Sequence, residues 1–309
     1  MFKYTLDNKQ YHTFNYYLKN KYHCKVARVS LNAAFTCPNR DGTKGVGGCL
    51  FCSDEGSGDF AGDIHDSLEK QFETVSAIME RKWPNCKYIA YFQAYTNTYG
   101  PVEKLKECFE PFVHKENVVG IDIATRPDCL SEEILDYLYD LSLRCDLFVE
   151  LGLQTIHSST AKWFNRGYEL DCFDKAVDEL RKRNINVCVH LINGLPGESL
   201  EMMLESAKYV GQKDIQGIKI HNLYVYNNSR MASYMEEHHL DFMSREDYID
   251  LVVKQLEYIP GHIVIQRLTG DGDASKLLGP MWSIKKVTIL NDIDKRQKQL
   301  HSYQGIKVD

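Results

Sequence analysis

From residue 27 onward, short apolar runs alternate with longer segments in which apolar residues recur every three or four positions. The short runs are typical of buried β-strands, and the periodic segments predict amphipathic helices. The predicted strands cover residues 27–31, 87–94, 118–124, 147–154, 185–192 and 217–225. Strands that alternate with helices pair in parallel through right-handed crossovers. The pattern therefore predicts an α/β fold whose parallel sheet closes, wholly or in part, into a barrel.

Polar side chains occupy one face of four consecutive predicted strands. In the fourth strand, Glu150, Gly152 and Gln154 alternate with apolar residues. A parallel strand that is covered on both faces is normally apolar throughout, so these polar groups require a polar partner. The neighbouring strands place further polar groups in the same register: Asp122, Arg126, His190, Lys219 and His221. One such group could be a satisfied core residue, but four successive strands predict a ligand-filled interior.

A glycine-rich stretch at residues 36–58 carries three cysteines directly after the first predicted strand. Cys37, Cys49 and Cys52 have the spacing C-x11-C-x2-C in a segment too rich in glycine to be a helix or a strand. Three thiolates are one too few for a closed tetrahedral zinc site, but they suffice for a 4Fe-4S cluster with one open iron. The alternative is a structural zinc site with Cys24 as the fourth ligand. Either site would lie where α/β enzymes keep their active sites.

Further stretches indicate ligand contacts. Residues 194–198, Gly-Leu-Pro-Gly-Glu, follow the fifth predicted strand and open a helix, which offers backbone N–H groups to a ligand. Arg166 follows Gln154 by twelve residues, and its guanidinium could grip a carboxylate with two N–H groups. Residues 125–128, Thr-Arg-Pro-Asp, end the third strand. Each stretch could also be an ordinary strand-to-helix turn.

The composition is that of an ordinary globular chain, with 309 residues, 43% of them apolar and 26% charged. No run approaches the roughly 18 apolar residues that a membrane span needs. The first residues, Met-Phe-Lys-Tyr-Thr-Leu, lack the apolar core of a signal peptide. We therefore expect a soluble cytoplasmic protein without a membrane partner, whose ten cysteines are thiols or ligands.

Charge is distributed unevenly along the chain. Both ends are basic, whereas the net charge of the whole chain is −6, so the middle is acidic. Basic ends that meet in space would form a phosphate-binding face, whereas separate ends would be solvated surface. We expect a basic and aromatic N-terminal segment over residues 1–24 and a core barrel over residues 25–260. Residues 261–309 are expected to complete the substrate side of the barrel mouth and to cap the open edge of the sheet.

Together these motifs resemble the radical S-adenosylmethionine (SAM) superfamily over about residues 25–260. The cysteine spacing and residues 125–128, 150–154 and 194–198 resemble the branch that is related to the Elongator catalytic subunit. Residues 92–99, Phe-Gln-Ala-Tyr-Thr-Asn-Thr-Tyr, are similar to the YtqA/YhcC-type group of that branch. The resemblance implies a partial (β/α)6 barrel of the TIM-like type. It also implies a 4Fe-4S cluster held by Cys37, Cys49 and Cys52, with SAM bound at the open iron.

The resemblance further implies roles for individual residues. Phe51 and Gly194 are expected on the adenine side of SAM, Gln154 at the ribose and Arg166 at the methionine carboxylate. The usual Gly-Gly-Glu motif for the methionine amino group is absent, and residues 93–96 stand in its place. Gln93 and Glu150 are the remaining expected cofactor contacts. The candidates for catalysis are Tyr95, Lys219 and His221, and those for substrate binding are Asp122, Arg126, His190 and Arg267.

The chemistry implied by the resemblance is reductive cleavage of SAM to a 5′-deoxyadenosyl radical, which abstracts hydrogen from an unactivated carbon. Relatives in this branch act on the wobble uridine of tRNA. The YtqA-type group resembles enzymes that remodel its 5-carboxymethylaminomethyl group toward 5-aminomethyl. Expected partners are tRNA and a flavodoxin- or ferredoxin-type electron donor. The alternatives are a zinc-stabilised nucleic-acid-binding protein without catalysis, an iron–sulfur sensor, and a radical SAM enzyme with a small-molecule or peptide substrate.

Overall fold

The computed structural model describes residues 2–5, 9–56, 58, 61–270 and 272–308. The remaining positions, which include parts of the predicted terminal segments and of the cysteine loop, lie outside the described residues. The main sheet contains β1 (Val26–Leu31), β2 (Lys87–Phe92), β3 (Val118–Thr125), β4 (Asp146–Gln154), β5 (Asn186–Asn193), β6 (Gly217–Asn222) and β8 (Val264–Arg267). These seven strands are parallel and curl into a half-barrel in the order β1-β2-β3-β4-β5-β6-β8. Two short strands, β7 (Val225–Tyr226) and β9 (Leu277–Gly279), pair antiparallel beside the sheet.

Most helices lie on the outer face of the sheet. The helices are α1 (Phe14–Tyr22), α2 (Leu68–Lys82), α3 (Val102–Val113), α4 (Glu132–Ser142), α5 (Ser158–Trp163), α6 (Leu170–Lys182), α7 (Leu200–Gly211), α8 (Arg230–Glu237), α9 (Arg245–Glu257) and α10 (Lys286–Gln299). Helix α1 lies at the amino end of the sheet, and α8 lies beside the loop that follows β1. Within the described ranges, no helix is long and apolar enough to span a bilayer.

Hydrophobic periodicity explains how these layers pack. Ser131 caps α4 by accepting a hydrogen bond from the Ile134 N–H, and acidic residues follow in the first turn, where they favour the helix dipole. The apolar residues of α4 and its neighbours bury against the outer face of the sheet. Leu138 of α4 and Val149 of β4 are both fully buried there. The core therefore lies between the sheet and the helices, and the inner face of the sheet is left to polar groups.

The α/β half-barrel confirms the predicted fold class, but the structure adds a strand that the sequence pattern did not predict. Strand β8 is only four residues long and pairs in parallel with β6, opposite Lys219 at Arg267. The strand is missed because so short a run shows no clear periodicity. Strand β8 begins at Val264, so the sheet continues past residue 260, where the core barrel was predicted to end. Strand β8 also covers the edge that β6 would otherwise expose.

Helix α1 lies across the amino ends of the strands and closes that end of the half-barrel. The Tyr17 ring contacts Phe148 near the start of β4, and the Tyr22 hydroxyl donates to the carbonyl of Val119 at 3.2 Å. Lys21 pairs with Asp146 at 2.6 Å. The basic N-terminal segment thus lies at the end of the sheet opposite the cysteine loop, which follows the carboxyl end of β1.

The two ends of the chain meet beside β8. Lys9 pairs with Asp294, and the Ile265 N–H donates to the His12 carbonyl at 2.8 Å. Gln304 joins these segments, because its side chain accepts from the His12 N–H and donates to the carbonyls of Pro260 and Ile263, each at 2.8 Å. The basic ends therefore meet in space, as the alternative of a shared phosphate-binding face requires. They meet away from the cysteine loop, however.

We predict that Gln304→Ala destabilises the protein, because it leaves the buried His12 N–H and the buried Ile263 carbonyl without their side-chain partner, whereas the Pro260 carbonyl still accepts from the Ile263 N–H. Each such group costs about 1–3 kcal/mol, so the free energy of unfolding should fall by at least about 2 kcal/mol in urea titrations. The matched control is Gln299→Ala, since Gln299 is exposed at the end of α10. It should change stability by less than about 0.5 kcal/mol. Equal effects of the two substitutions would contradict the joining role of Gln304.

Candidate active site

A cavity of about 200 Å³ lies inside the half-barrel, at the carboxyl ends of its strands. The loop after β1 forms one wall, and inward side chains of the strands form the others. The predicted site residues that line it are Cys37, Cys49, Phe51, Cys52, Gln93, Tyr95, Arg126, Glu150, Gln154, Arg166, His190, Lys219, His221 and Arg267. Of the described residues predicted for the site, Asp122 and Gly194 lie outside this wall. The fold thus gathers residues from nearly the whole chain around one space.

The thiols of Cys37, Cys49 and Cys52 face the cavity as near neighbours. The pKa of Cys49 lies well above its usual range, first because of a hydrogen bond with Cys52 and then because of burial and the charges of Cys52 and Cys37. A tight turn, in which the Cys52 N–H donates to the Cys49 carbonyl at 3.1 Å, brings the last two sulfurs together. The three cysteines of the loop therefore line the same cavity.

Cys24 lies at the other end of β1 and is not a cavity residue. It packs with Leu18, Val26 and Ile89 in the apolar cluster under α1. Because a strand rises about 3.3 Å per residue, the six residues of β1 separate Cys24 from the cysteine loop by roughly 15–20 Å. The zinc site with Cys24 as fourth ligand is therefore wrong.

Side chains from distant elements hold the cysteine loop in place. Asn39 donates to the carbonyl of Asn165, and its amide nitrogen also lies 3.7 Å from the Cys49 sulfur. The Asn165 amide returns a hydrogen bond to the Gly48 carbonyl at 3.0 Å, where Arg230 of α8 also donates at 3.0 Å. Sequence reasoning missed these anchors, because nothing local to an asparagine or arginine indicates a partner more than a hundred positions away.

Arg166 is fully buried, and its guanidinium is fixed by backbone carbonyls. Its Nη1 donates to Leu153 and Thr155 at 2.8 and 2.7 Å, and its Nε donates to Tyr168 at 3.1 Å. The buried Nη2 has no hydrogen-bond partner among the described residues. Burial lowers the pKa of Arg166. The side chain is thus held rigidly with one N–H pair left to offer to a ligand.

Gln154 ends β4 in a backbone conformation that few residues adopt. Its φ of 64° lies in the left-handed region, and the pairing of β4 with β5 shifts register between Gly152 and Gln154. The Tyr168 hydroxyl donates to the Gly152 carbonyl and lies 3.5 Å from the Gln154 Oε1. This irregularity turns the Gln154 side chain toward the cavity beside Arg166.

Other predicted residues have partners that define their positions. Tyr95 has a φ of 60° and donates its hydroxyl to the Asp54 carbonyl, so it is attached to the cysteine loop. Phe51 packs edge-on against Phe164 with 5.2 Å between ring centroids. The Gly194 N–H donates to the Met203 sulfur at 3.0 Å. Gly194 therefore shapes the turn after β5 rather than the cavity wall.

Arg126 is bound to its own turn. Its Nε and Nη2 each donate to the Asp128 carboxylate at 2.9 Å, and its Nη1 donates to the Arg166 carbonyl at 2.9 Å. Burial alone would lower the pKa of Arg126, but the Asp128 carboxylate outweighs it and raises the pKa. Arg126 thus holds the segment that carries Arg166, a role that the sequence pattern did not indicate.

A network of buried ions fills the inner end of the cavity. Glu150 receives hydrogen bonds from Lys219 and from the Arg28 Nη2, the latter at 3.1 Å, and the His190 Nε2 lies 3.0 Å from its carboxylate. Arg28 also pairs with Asp122 at 2.6 Å, which places Asp122 behind the cavity wall. The role of Arg28 was not predicted, because a single arginine in the first strand carries no local signal.

Burial and neighbouring charges set the protonation of this network. Burial would raise the pKa of Glu150, but Lys219 and Arg28 outweigh it and hold the pKa well below its usual range. Burial lowers the pKa of Lys219 to about 8, although Glu150 opposes the shift. Burial, with help from the Lys219 charge, lowers the pKa of His190, and it lowers that of His221 further. We call this inner end of the cavity, which carries Glu150, His190, Lys219, His221 and Arg267, the lumen. At pH 7 the lumen therefore contains a charged lysine beside two neutral histidines.

Comparison with known protein families accounts for these features. Residues 37–210 match the radical SAM superfamily, and residues 215–299 match the radical SAM C-terminal domain. The first match begins at Cys37, and the second contains Lys219, His221 and Arg267. The two matches together cover most of the described barrel.

Relatives extend this comparison along the chain. The Bacillus subtilis (strain 168) protein YtqA is 49% identical over 304 residues, which are 98% of this chain and 94% of YtqA. A tRNA uridine(34) acetyltransferase of Methanocaldococcus infernus is 35% identical over 88 residues, which are 28% of this chain and 16% of that protein. The solved structure of Elp3 from M. infernus superposes with a TM-score of 0.69 at 19% identity, covering 91% of this chain and 64% of that one.

The Elp3 superposition supports the fold, and the matches to YtqA and to the superfamily establish the relationship by sequence. Members of the matched superfamily use a 4Fe-4S cluster together with SAM. The convergent cysteines at the mouth of a parallel half-barrel agree with that use. This chain is therefore a radical SAM enzyme and belongs to the radical SAM superfamily.

Proposed function

We propose that this enzyme remodels the wobble uridine of tRNA, converting its 5-carboxymethylaminomethyl group toward 5-aminomethyl. The observation that carries the proposal is the cavity, in which the three cysteines adjoin a lumen that contains Lys219, His221 and Arg267. The 5-carboxymethylaminomethyl group carries a carboxylate beside a protonated amine, and a cationic lumen suits that carboxylate electrostatically. The proposal also rests on the relatives, since one named for tRNA uridine(34) acetylation shares part of this sequence.

The described residues fit the cofactors of the superfamily. Cys37, Cys49 and Cys52 would hold the cluster, and the partner-free Nη2 of Arg166 would bind the methionine carboxylate of SAM. Phe51, Gln93 and Gln154 line the same wall and are proposed as further contacts with SAM. Glu150 lies in the same cavity, where it pairs with Lys219 and Arg28. When bound, the cluster and SAM supply the 5′-deoxyadenosyl radical.

The remaining residues of the proposal orient the substrate and exclude water. We assign Tyr95, Lys219 and His221 to the reacting region, and the pKa of Lys219 near 8 allows that lysine to hold or release a proton close to neutral pH. Arg126, His190 and Asp122 support it through the contacts described above. A flavodoxin- or ferredoxin-type protein is the proposed electron donor, and the cytoplasm is the proposed location.

The proposed RNA interface lies around the cysteine loop rather than at the basic ends of the chain. An unstacked base can enter the cavity only from its open end. Described cations near that end include Arg40 in the cavity wall and Arg230 at the Gly48 carbonyl, together with Lys44 and Lys276, which pair with Asp128 and Glu55. Lys21 lies at the amino end of the sheet, where it pairs with Asp146, and is thus far from the open end of the cavity. We therefore expect charge reversal at Lys44 to weaken tRNA binding more than charge reversal at Lys21.

Cys37→Ala, Cys49→Ala and Cys52→Ala should each abolish the cluster and the formation of 5′-deoxyadenosine, because two thiolates cannot support the iron. Anaerobic reconstitution, iron and sulfide analysis and a product assay under a strong reductant measure both effects. Cys24→Ala is the matched control and should keep both properties, since Cys24 packs under α1. Loss of iron from the Cys24 variant would argue against this ligand assignment.

Arg166→Ala should retain the brown cluster but bind SAM about ten- to a hundredfold more weakly, as expected for loss of a charged hydrogen bond of roughly 1.5–3 kcal/mol. Equilibrium binding to the reconstituted protein measures the affinity, and thermal unfolding reports the loss of the three backbone contacts. Arg144→Ala is the control, because Arg144 forms a surface ion pair with Glu110. Unchanged SAM affinity in the Arg166 variant would remove Arg166 from the cofactor site.

Cells that lack this protein should accumulate 5-carboxymethylaminomethyl uridine in tRNA at the expense of its aminomethyl descendants. Nucleoside analysis of digested tRNA tests this, with the wild-type gene and the Cys52→Ala variant as complementing controls. Only the wild type should restore the profile. An unaltered profile, together with no salt-sensitive tRNA binding by the reconstituted protein, would refute the tRNA assignment and leave the radical chemistry intact.

A further inference from the structure

Arg267, the last residue of β8, contributes to the cavity wall a cationic side chain that no described residue neutralises. The residue is half-buried, and its guanidinium forms no hydrogen bond or ion pair with any described residue. The other site arginines differ, because Arg28, Arg126 and Arg166 each donate to two or more protein oxygens. A partly desolvated cation without a counter-ion is costly, and an anionic ligand would offset that cost.

His221 lies close to Arg267 and presents a second unused polar group. Its buried Nε2 has no hydrogen-bond partner among the described residues. Burial and then the charge of Arg267 hold the pKa of His221 well below its usual range, so the ring is neutral and can donate one N–H. An unpaired guanidinium and an unpaired imidazole nitrogen thus occur together in one wall of the cavity.

The charge balance of the lumen indicates the charge of the missing group. Arg40, Arg126 and Arg166 line the part of the wall nearer the cysteine loop, outside the lumen. The cations of the lumen are Arg28, Lys219 and Arg267, and its carboxylates are Asp122 and Glu150. Both carboxylates are already bound by Arg28 or Lys219, which leaves one positive charge, that of Arg267, without a partner in the part of the chain that the structure describes. One anionic charge, rather than two, would neutralise the described lumen. A carboxylate fits this requirement better than a dianionic phosphate.

We propose that Arg267 and His221 form the subsite for a carboxylate of the substrate, so that the carboxymethyl group is itself a recognition element. This inference rests on the proposed function, because it assigns that carboxylate to the 5-carboxymethylaminomethyl group of the wobble uridine. The carboxylate of SAM is the other possible source. Arg166 is the better partner for SAM, since Asn39 joins the neighbouring Asn165 to the cysteine loop at Cys49, whereas Arg267 is paired in register with Lys219 at the other side of the cavity.

The subsite also predicts how the enzyme distinguishes substrate from product. A 5-aminomethyl group keeps the protonated amine of the substrate but lacks the carboxylate. Its net charge is therefore positive, and Arg267 and Lys219 repel it. The same residues that bind the substrate therefore favour release of the product. Strand β8 acquires a functional role through this contact, in addition to covering the edge of β6.

Binding of anticodon stem-loop RNAs to the reconstituted enzyme tests the inference. The probes carry 5-carboxymethylaminomethyl uridine, 5-aminomethyl uridine or unmodified uridine at the wobble position. The wild type should prefer the carboxylated RNA over the aminomethyl RNA by at least about tenfold, as for a charge-assisted contact. Arg267→Gln should lose that preference while it retains its iron, its SAM affinity and its affinity for unmodified RNA. Arg267→Lys should keep part of the preference, and the exposed control Arg81→Gln should keep all of it.

The outcomes separate this inference from the proposed function. An undiminished preference in Arg267→Gln overturns the subsite, and so does a loss of SAM affinity without a change in preference. If no RNA binds, the free nucleosides 5-carboxymethylaminomethyluridine and 5-aminomethyluridine replace the RNAs. An Arg267-dependent preference between them would then support the subsite although the tRNA assignment fails. No preference between the nucleosides would overturn the subsite as well.

Discussion

The ion pairs of the buried Glu150 carboxylate are the interaction on which the interior of this barrel depends. The carboxylate binds Lys219 of β6 and Arg28 of β1, two strands that are not neighbours in the sheet. Arg28 reaches Glu150 and Asp122 only because the sheet curls and brings β1 toward the lumen side of β4. Buried charges are costly unless each is paired and hydrogen-bonded, so this network tolerates little change in curvature.

The same network keeps the lumen open, and the two ends of the barrel differ because only one of them is closed. Charged side chains cannot collapse into an apolar core, so the apolar residues of the strands pack outward against the helices while a cavity persists inside. Helix α1 closes the amino end through Tyr17 and Tyr22. At the other end, Asn39, Asn165 and Arg230 fix the cysteine loop. Chemistry is thereby confined to one mouth, between the cysteines and the cationic lumen.

The C-terminal part of the chain is integral to this arrangement. Strand β8 brings Arg267 into the cavity, and Gln266 of the same strand accepts a hydrogen bond from Arg28. Gln304 then joins that region to the N-terminal segment. The residues that would meet the substrate thus come from both matched family regions, and the site is complete only when the sheet has its seventh strand.

The sequence by itself determined what depends on local spacing. Period-two alternation identified the inward groups Glu150, His190, Lys219 and His221, because successive strand residues point to opposite faces. The C-x11-C-x2-C spacing, which is also a local pattern, identified the three cysteines that line the cavity. Only the tertiary structure decided which groups are paired and which are free. Arg28 and Arg126 pair with carboxylates, whereas Arg267 pairs with none that the structure describes, and Cys24 lies at the end of β1 away from the cysteine loop. These outcomes depend on the curl of the sheet and on contacts between residues far apart in the chain, which no local pattern records.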